Sequence, residues 1–412
     1  MNTQMRAAIV SAQMRALSAL VTAALCAAIT GCGDDAAEPA PQPGAGAGAG
    51  GSGGSVAPGA GAGAGAGRSG AGSGGAGMQA PRAGAGSGAG GAGAPATGGT
   101  AGGEEDAGSA GMDAGPPDPP NADPCADDPG PYGDPLPAAR TATLIEDGFD
   151  FLEGPVWIDS EGVLLFSDMH MGQAGGSWPP ATIVRLTPPN AFDPFEENAN
   201  TNGLALTHEG ELIGCTHDVQ TLSLFDLENG DRTPIELTYM GDHFNSPNDL
   251  TVRSDGTVYF TDPDWQLGGR TNETGMTGVY RVPPGGDPEL IDGTLDKPNG
   301  IALSPDERTL YVGSAGQDLM AYPVDENGLV GDGEVFASPG GSDGLTVDCA
   351  GNLYVTAGGV QVFDPEGDQL GSITVAESPA NVAFGGADRR TLYITARTGL
   401  YSIVLNVPGY PY

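Results

Sequence analysis

Basic residues are scarce in this 412-residue chain, where 15 Lys and Arg stand against 53 Asp and Glu for a formal charge of −38. From Leu136 onward there are 41 of those acids and 11 of those bases, leaving that part near −30. A surface of that sign repels phosphate backbones, which argues against nucleic acid as a partner. Histidine is rarer still, limited to His170, His208, His217 and His243. No segment carries a long helical period, so neither a nucleophile elbow nor a helical His-Glu-x-x-His metal site has a helix to stand on. Aromatic residues are 6% of the chain and nearly all lie in the last two thirds. Only that part can build a core, and its 277 residues suit one closed β architecture.

Long apolar runs are also missing, apart from Ala16 to Ile29 behind Arg6 and Arg15. With Ile29-Thr-Gly-Cys32 it resembles a bacterial lipoprotein signal, in which residues 1–31 are removed and Cys32 is acylated. A retained helix is the alternative. The expected location is the cell envelope, by a lipid anchor that is the only membrane contact, or secretion. Cysteine totals five; cleavage would remove Cys26, and Cys125, Cys215 and Cys349 then allow one pair and one free thiol without saying which. Residues 32–135 are dominated by Gly, Ala and Pro and read as a disordered tether, ahead of a folded domain over 136–412.

What the domain does have is one phrase, repeated six times. An acidic or amide residue precedes a short apolar stretch, a turn, and a second apolar stretch rich in Leu and Tyr. The second stretches begin at Gly162, Gly210, Gly256, Arg308, Gly351 and Arg390, at steps of 48, 46, 52, 43 and 39 residues. Repeats of about 40 to 50 residues with four strand candidates each predict an all-β, six-bladed β-propeller. The strand candidate from Ala142 to Ile145 is expected to close the ring beside Leu400 to Val407.

Eight or nine residues before each turn stand Glu153, Asn202, Asn248, Asn299, Asp343 and Asn381. In a propeller, equivalent positions circle one axis. The second strand returns antiparallel, so Asp168, His217, Asp262 and Ser314 are expected at the same rim. A ring of six oxygen-bearing side chains, two of them anionic and none Cys or His, suits one hard divalent cation, Ca²⁺ above Mg²⁺ or Mn²⁺.

These residues also carry a resemblance. Glu153-Gly-Pro-Val-Trp157, Leu165-Phe-Ser-Asp168, Asn245-Ser-Pro-Asn-Asp-Leu250, Tyr259-Phe-Thr-Asp-Pro263, Pro298-Asn-Gly300, Asp343-Gly-Leu345 and Thr391-Leu-Tyr-Ile-Thr-Ala396 resemble, in order and spacing, motifs of the SMP-30/gluconolactonase family. The resemblance implies a metal held by Glu153, Asn299 and Asp343, with Asn248 beside metal and substrate, and Zn²⁺ or Fe²⁺ as further options. It implies a metal-dependent lactonase for a small-molecule, sugar-type lactone, with Asp343 as general base and the cation polarising the carbonyl. Asp262, His217 and Asn202 are candidate substrate contacts. Cys215-Thr-His217, Asp262-Pro-Asp-Trp-Gln266 and Gly313-Ser314 depart from the family pattern, all at the rim that would meet substrate. The rival reading is a non-catalytic, surface-tethered propeller that binds a ligand or protein and whose metal is structural. Nothing demands an oligomer, so a monomer is expected.

Overall fold

The computed structural model describes Cys125 and residues 130–171, 180–316 and 318–410. The signal segment 1–31, Cys32 and most of the 32–135 tether lie outside the described residues. Among the described residues, twenty-four strands form six four-stranded antiparallel sheets. The innermost strands are Leu152–Ile158, Thr201–Leu206, Leu250–Val252, Pro298–Leu303, Leu345–Val347 and Asn381–Gly385, each beside the next and the last beside the first. This is the six-bladed propeller that the repeats predict. Thr143–Asp147 completes the sixth sheet by pairing with Gly399–Val404, with Thr143 opposite Ser402 and Leu144 opposite Tyr401, so both ends of the domain share one blade.

Local chemistry explains the turns that start each second strand. Gly162, Gly210, Gly256 and Gly351 take φ between 66° and 87°, a region open to glycine at no steric cost. Repeats four and six have no glycine there, and Glu307 (φ 55°) and Arg389 (φ 50°) adopt the left-handed conformation instead. The strands between turns are rich in Val, Ile, Leu, Tyr and Phe because both faces are covered by neighbouring blades. Six apolar clusters result, one per blade interface. Trp157 shows the pattern, stacking on Tyr393 across the interface of blades one and six at 5.7 Å between rings.

The two ends of the channel differ. At the end away from the ring, Cys349 N donates to Pro408 O, Gly409 N to Arg389 O and Tyr410 N to Val347 O, so the C-terminal segment lies across the opening. Phe384 packs on Gly409, where any Cβ would overlap its ring. A cavity of about 50 Å³ remains inside, lined by Asp249, Thr251 and Asn381 and also by Arg389 and Tyr410. At that same end a disulfide joins Cys125 to Cys349, 224 residues apart. The bond stabilises by restricting the unfolded chain, by roughly 2–4 kcal/mol in typical cases. Among the described cysteines Cys215 is the free thiol, buried between blades two and three, where burial raises its pKa and makes it inert.

Candidate active site in the channel

Glu153, Asn202, Asn299 and Asn381 are the first or second residues of their inner strands, and Asn248 and Asp343 stand two residues ahead of theirs. What holds them in register is a set of hydroxyl clasps between blades. Ser167 Oγ donates to Asn202 O (2.8 Å), Thr261 Oγ1 to Asn299 O (2.7 Å) and Thr356 Oγ1 to Ala380 O (2.8 Å), each from the second strand of one blade to the first strand of the next. Glycine after the ring residue lets neighbouring strands close in: Gly203 N donates to Asn248 O and Gly300 N to Asp343 O. A Cβ at Gly300 would sit 2.3 Å from Asp343 O, so no other residue fits.

Glu153, Asn202, Asn248, Asn299 and Asn381 are buried, while Asp343 is only half-buried and so is the ring member that solvent reaches. Asn299 Nδ2 donates to Asp343 Oδ1 at 2.6 Å. Burial pushes the Asp343 carboxyl up to about 7, against the pull of that amide and of Arg397. Glu153 is raised well above its ordinary range by burial first, then by the charges of Asp343 and Asp249. The channel thus concentrates acids that lack a contacting base, which is what a cation site requires of its ligands. Among the described residues no three His, Cys, Asp or Glu side chains form a metal-binding group. The donors here are instead carboxylates mixed with Asn amides, a hard oxygen set of the kind that fits Ca²⁺ or Mg²⁺.

The remaining predicted residues take different positions. Asn202 is in the ring with both amide atoms buried and no partner among the described residues. Asp262 turns its oxygens to the loop that leads to Asn248, accepting from Asn245 N (2.8 Å), Ser246 N (2.8 Å) and Asn245 Nδ2 (3.0 Å), while burial raises its pKa to about 7. His217 is buried beneath the rim, where its carbonyl accepts from Arg270 Nη2 at 2.6 Å. Trp265 is 41% exposed, with the Lys297 ammonium over its ring at 5.7 Å. Gly340-Gly-Ser342-Asp-Gly344 spells a hydrolase elbow, yet a strand follows it and Ser342 Oγ accepts from Ser314 N.

Sequence reasoning missed two channel residues. The position after the ring residue reads Gly154, Gly203, Asp249, Gly300, Gly344 and Val382, and the break at Asp249 was the available signal. Asp249 is buried, accepts from Asn381 Nδ2 at 3.1 Å and is pushed up to about 7 by burial. The other is Arg397, which follows the last rim residue of blade six and whose charge acts on Asp343.

Residues 151–398 match the model of the SMP-30/gluconolactonase/LRE-like region. The chain belongs to this family. A gluconolactonase from Zymomonas mobilis is 32% identical over 291 residues, covering 61% of this chain and 78% of that protein. A pentonolactonase from Haloferax volcanii is 29% identical, covering 60% and 81%. The solved structure of a gluconolactonase from Xanthomonas campestris superimposes with a TM-score of 0.57 at 31% identity, over 68% of this chain and 99% of that one. A calcium-binding regucalcin from Agrobacterium tumefaciens shares the fold at 21% identity and a TM-score of 0.55, over 66% and 97%.

Proposed function

We propose that this chain is a hydrolase that opens a lactone ring, with a sugar (aldono-)lactone as substrate. Relatives named gluconolactonase and pentonolactonase support the reaction class. The observation that carries the reading is Asp343: a solvent-reached carboxylate, aligned by Asn299 at 2.6 Å, within a buried acidic ring.

The donor set fits one divalent cation held by Glu153, Asn299 and Asp343, with Asn248 beside them; Ca²⁺ stands first, and Mg²⁺, Mn²⁺, Zn²⁺ or Fe²⁺ are alternatives. Such an ion supplies a Lewis acid for the lactone carbonyl. Asp343 takes the proton of the attacking water. The Asn299 amide fixes the orientation of Asp343. Asn202 offers an unpartnered donor and acceptor to substrate hydroxyls. Asp262 acts through the 245–248 loop, as a positioning residue for Asn248. His217 backs Arg270 beneath the rim.

Acid release from a panel of aldonolactones, followed in a pH-stat and corrected for spontaneous opening, tests the reading. Acceleration by the purified chain is the expected result. No acceleration with any lactone, with or without added cation, would leave the non-catalytic surface propeller as the better account. The same reading takes the enzyme as a monomer, since nothing demands an oligomer, lipid-anchored to the cell envelope through Cys32 or secreted, and fatty-acid labelling that persists in a Cys32→Ser variant would refute that anchor.

A further inference from the structure

Eleven bases lie from Leu136 onward in a domain of charge near −30. Seven have a carboxylate partner, namely Arg140, Arg185, Arg232, Arg253, Arg281, Lys297 and Arg389. Those on the mouth side are engaged by the protein itself. Arg232 binds Asp218 Oδ2 at 2.9 Å. Arg270 is spread over the carbonyls of His217, Asp218, Gln266 and Leu267. Lys297 binds Asp264 at 2.5 Å. Arg397 is the exception at the mouth: no carboxylate among the described residues lies within ion-pair distance of its guanidinium, which rests on the Phe151 ring at 4.9 Å.

The backbone fixes that arginine at the ring. Arg397 O accepts from Leu152 N at 2.9 Å, one residue before Glu153, and Thr398 O accepts from Gly148 N and Phe149 N. Arg397 itself is left-handed at φ 50°, a conformation costly to a residue that carries a Cβ, and these backbone anchors hold it there. The acid next to it, Glu377, is taken up by Thr398 N, Thr398 Oγ1 and Tyr401 Oη. In an acid-rich domain an unpaired arginine beside the channel forgoes the pairing that surrounds most other bases. A neutral sugar ring gives no reason for that arrangement, while an anionic substrate needs one cationic contact to enter a negative mouth.

We infer that the preferred lactone carries an anionic substituent, a carboxylate, phosphate or sulfonate, and that Arg397 binds it. This rests on the lactonase reading above and narrows its substrate class.

Two probes that differ only at the terminal carbon separate the two ideas: neutral glucono-1,4-lactone and the corresponding acid, glucaro-1,4-lactone. Arg397→Ala should raise KM for the acid lactone about tenfold, as expected for losing one charge-assisted contact near solvent, and leave KM for the neutral lactone within about twofold, while any change in kcat from removing the charge that acts on Asp343 is shared by both lactones. Arg397→Lys should recover part of the loss. An unchanged ratio of the two KM values between wild type and Arg397→Ala, with both lactones hydrolysed, overturns this inference alone. If the wild type turns over other lactones of the panel but neither of these two, this inference alone is overturned; if it turns over no lactone at all, with or without added cation, the lactonase reading fails and this inference fails with it.

Discussion

Asp343 and Asp348 stand five residues apart at opposite ends of the short strand Leu345–Val347, and burial raises both carboxyls. Asp348 is fully provided with donors: Ala350 N at 2.9 Å, Asn352 N at 2.9 Å, Asn352 Nδ2 at 2.8 Å and Tyr354 Oη at 3.0 Å. Asp343 has one side-chain donor, Asn299. The same contrast separates two arginines, since Arg389 binds Asp159 at the far end whereas Arg397 at the mouth forms no ion pair with an acid among the described residues. A buried carboxylate with its donors complete belongs to the fold. One left short of donors and open to solvent is available for chemistry.

That contrast can be broken from either side. Asp343→Asn should lower kcat by about 10²- to 10⁴-fold, the usual worth of a general base, while the melting temperature stays the same or rises because a buried charge is gone. Asp348→Ala should do the reverse, costing about 3 kcal/mol in denaturant unfolding by stranding the donors of Asn352 and Tyr354, with activity per folded molecule kept. Replacing both Cys125 and Cys349 with Ser should cost about 2–4 kcal/mol, again with activity kept.

Acidity gives a smaller effect whose sign is fixed. Unfolded, Asp249 and Asp343 titrate near 3.8; folded, both are pushed to about 7. The folded chain holds more protons between those values, so this stabilisation is complete below about pH 4 and is lost as pH rises through 7. Melting scans across that window without divalent cation should fall with pH, and a combined Asp249→Asn and Asp343→Asn variant should flatten the curve. A wild-type curve that rises over the same window would contradict the assignment. The least effect is expected of Asn202→Ala, within about 1 kcal/mol of wild type in unfolding because its amide has no partner to lose, although KM should increase.

The propeller and its ring were legible because both depend on a repeated local pattern. Turn glycines, short apolar strands and an oxygen-bearing residue recur at similar spacing, and pairing Thr143–Asp147 into the last blade follows from the same count. The residues that escaped are those that break the repeat. Asp249 occupies a position that is glycine in four blades, and Arg397 acts on the ring only because blade six closes against blade one. Asp262 was legible as a rim carboxylate, but which way it faces depends on a loop of blade three that no local pattern encodes. The pairing of Cys125 with Cys349 likewise needs the closed ring, since 224 residues separate them.

The central claim is that the acidic ring is a cation-dependent lactone-opening site, and the direct measurement combines equilibrium dialysis of Ca²⁺ with hydrolysis in one preparation of chelator-stripped protein. The account predicts one ion bound per chain, activity lost on stripping and restored in proportion to bound ion, and neither property in Glu153→Gln or Asp343→Asn. Full lactone hydrolysis by protein that holds no residual metal would contradict it.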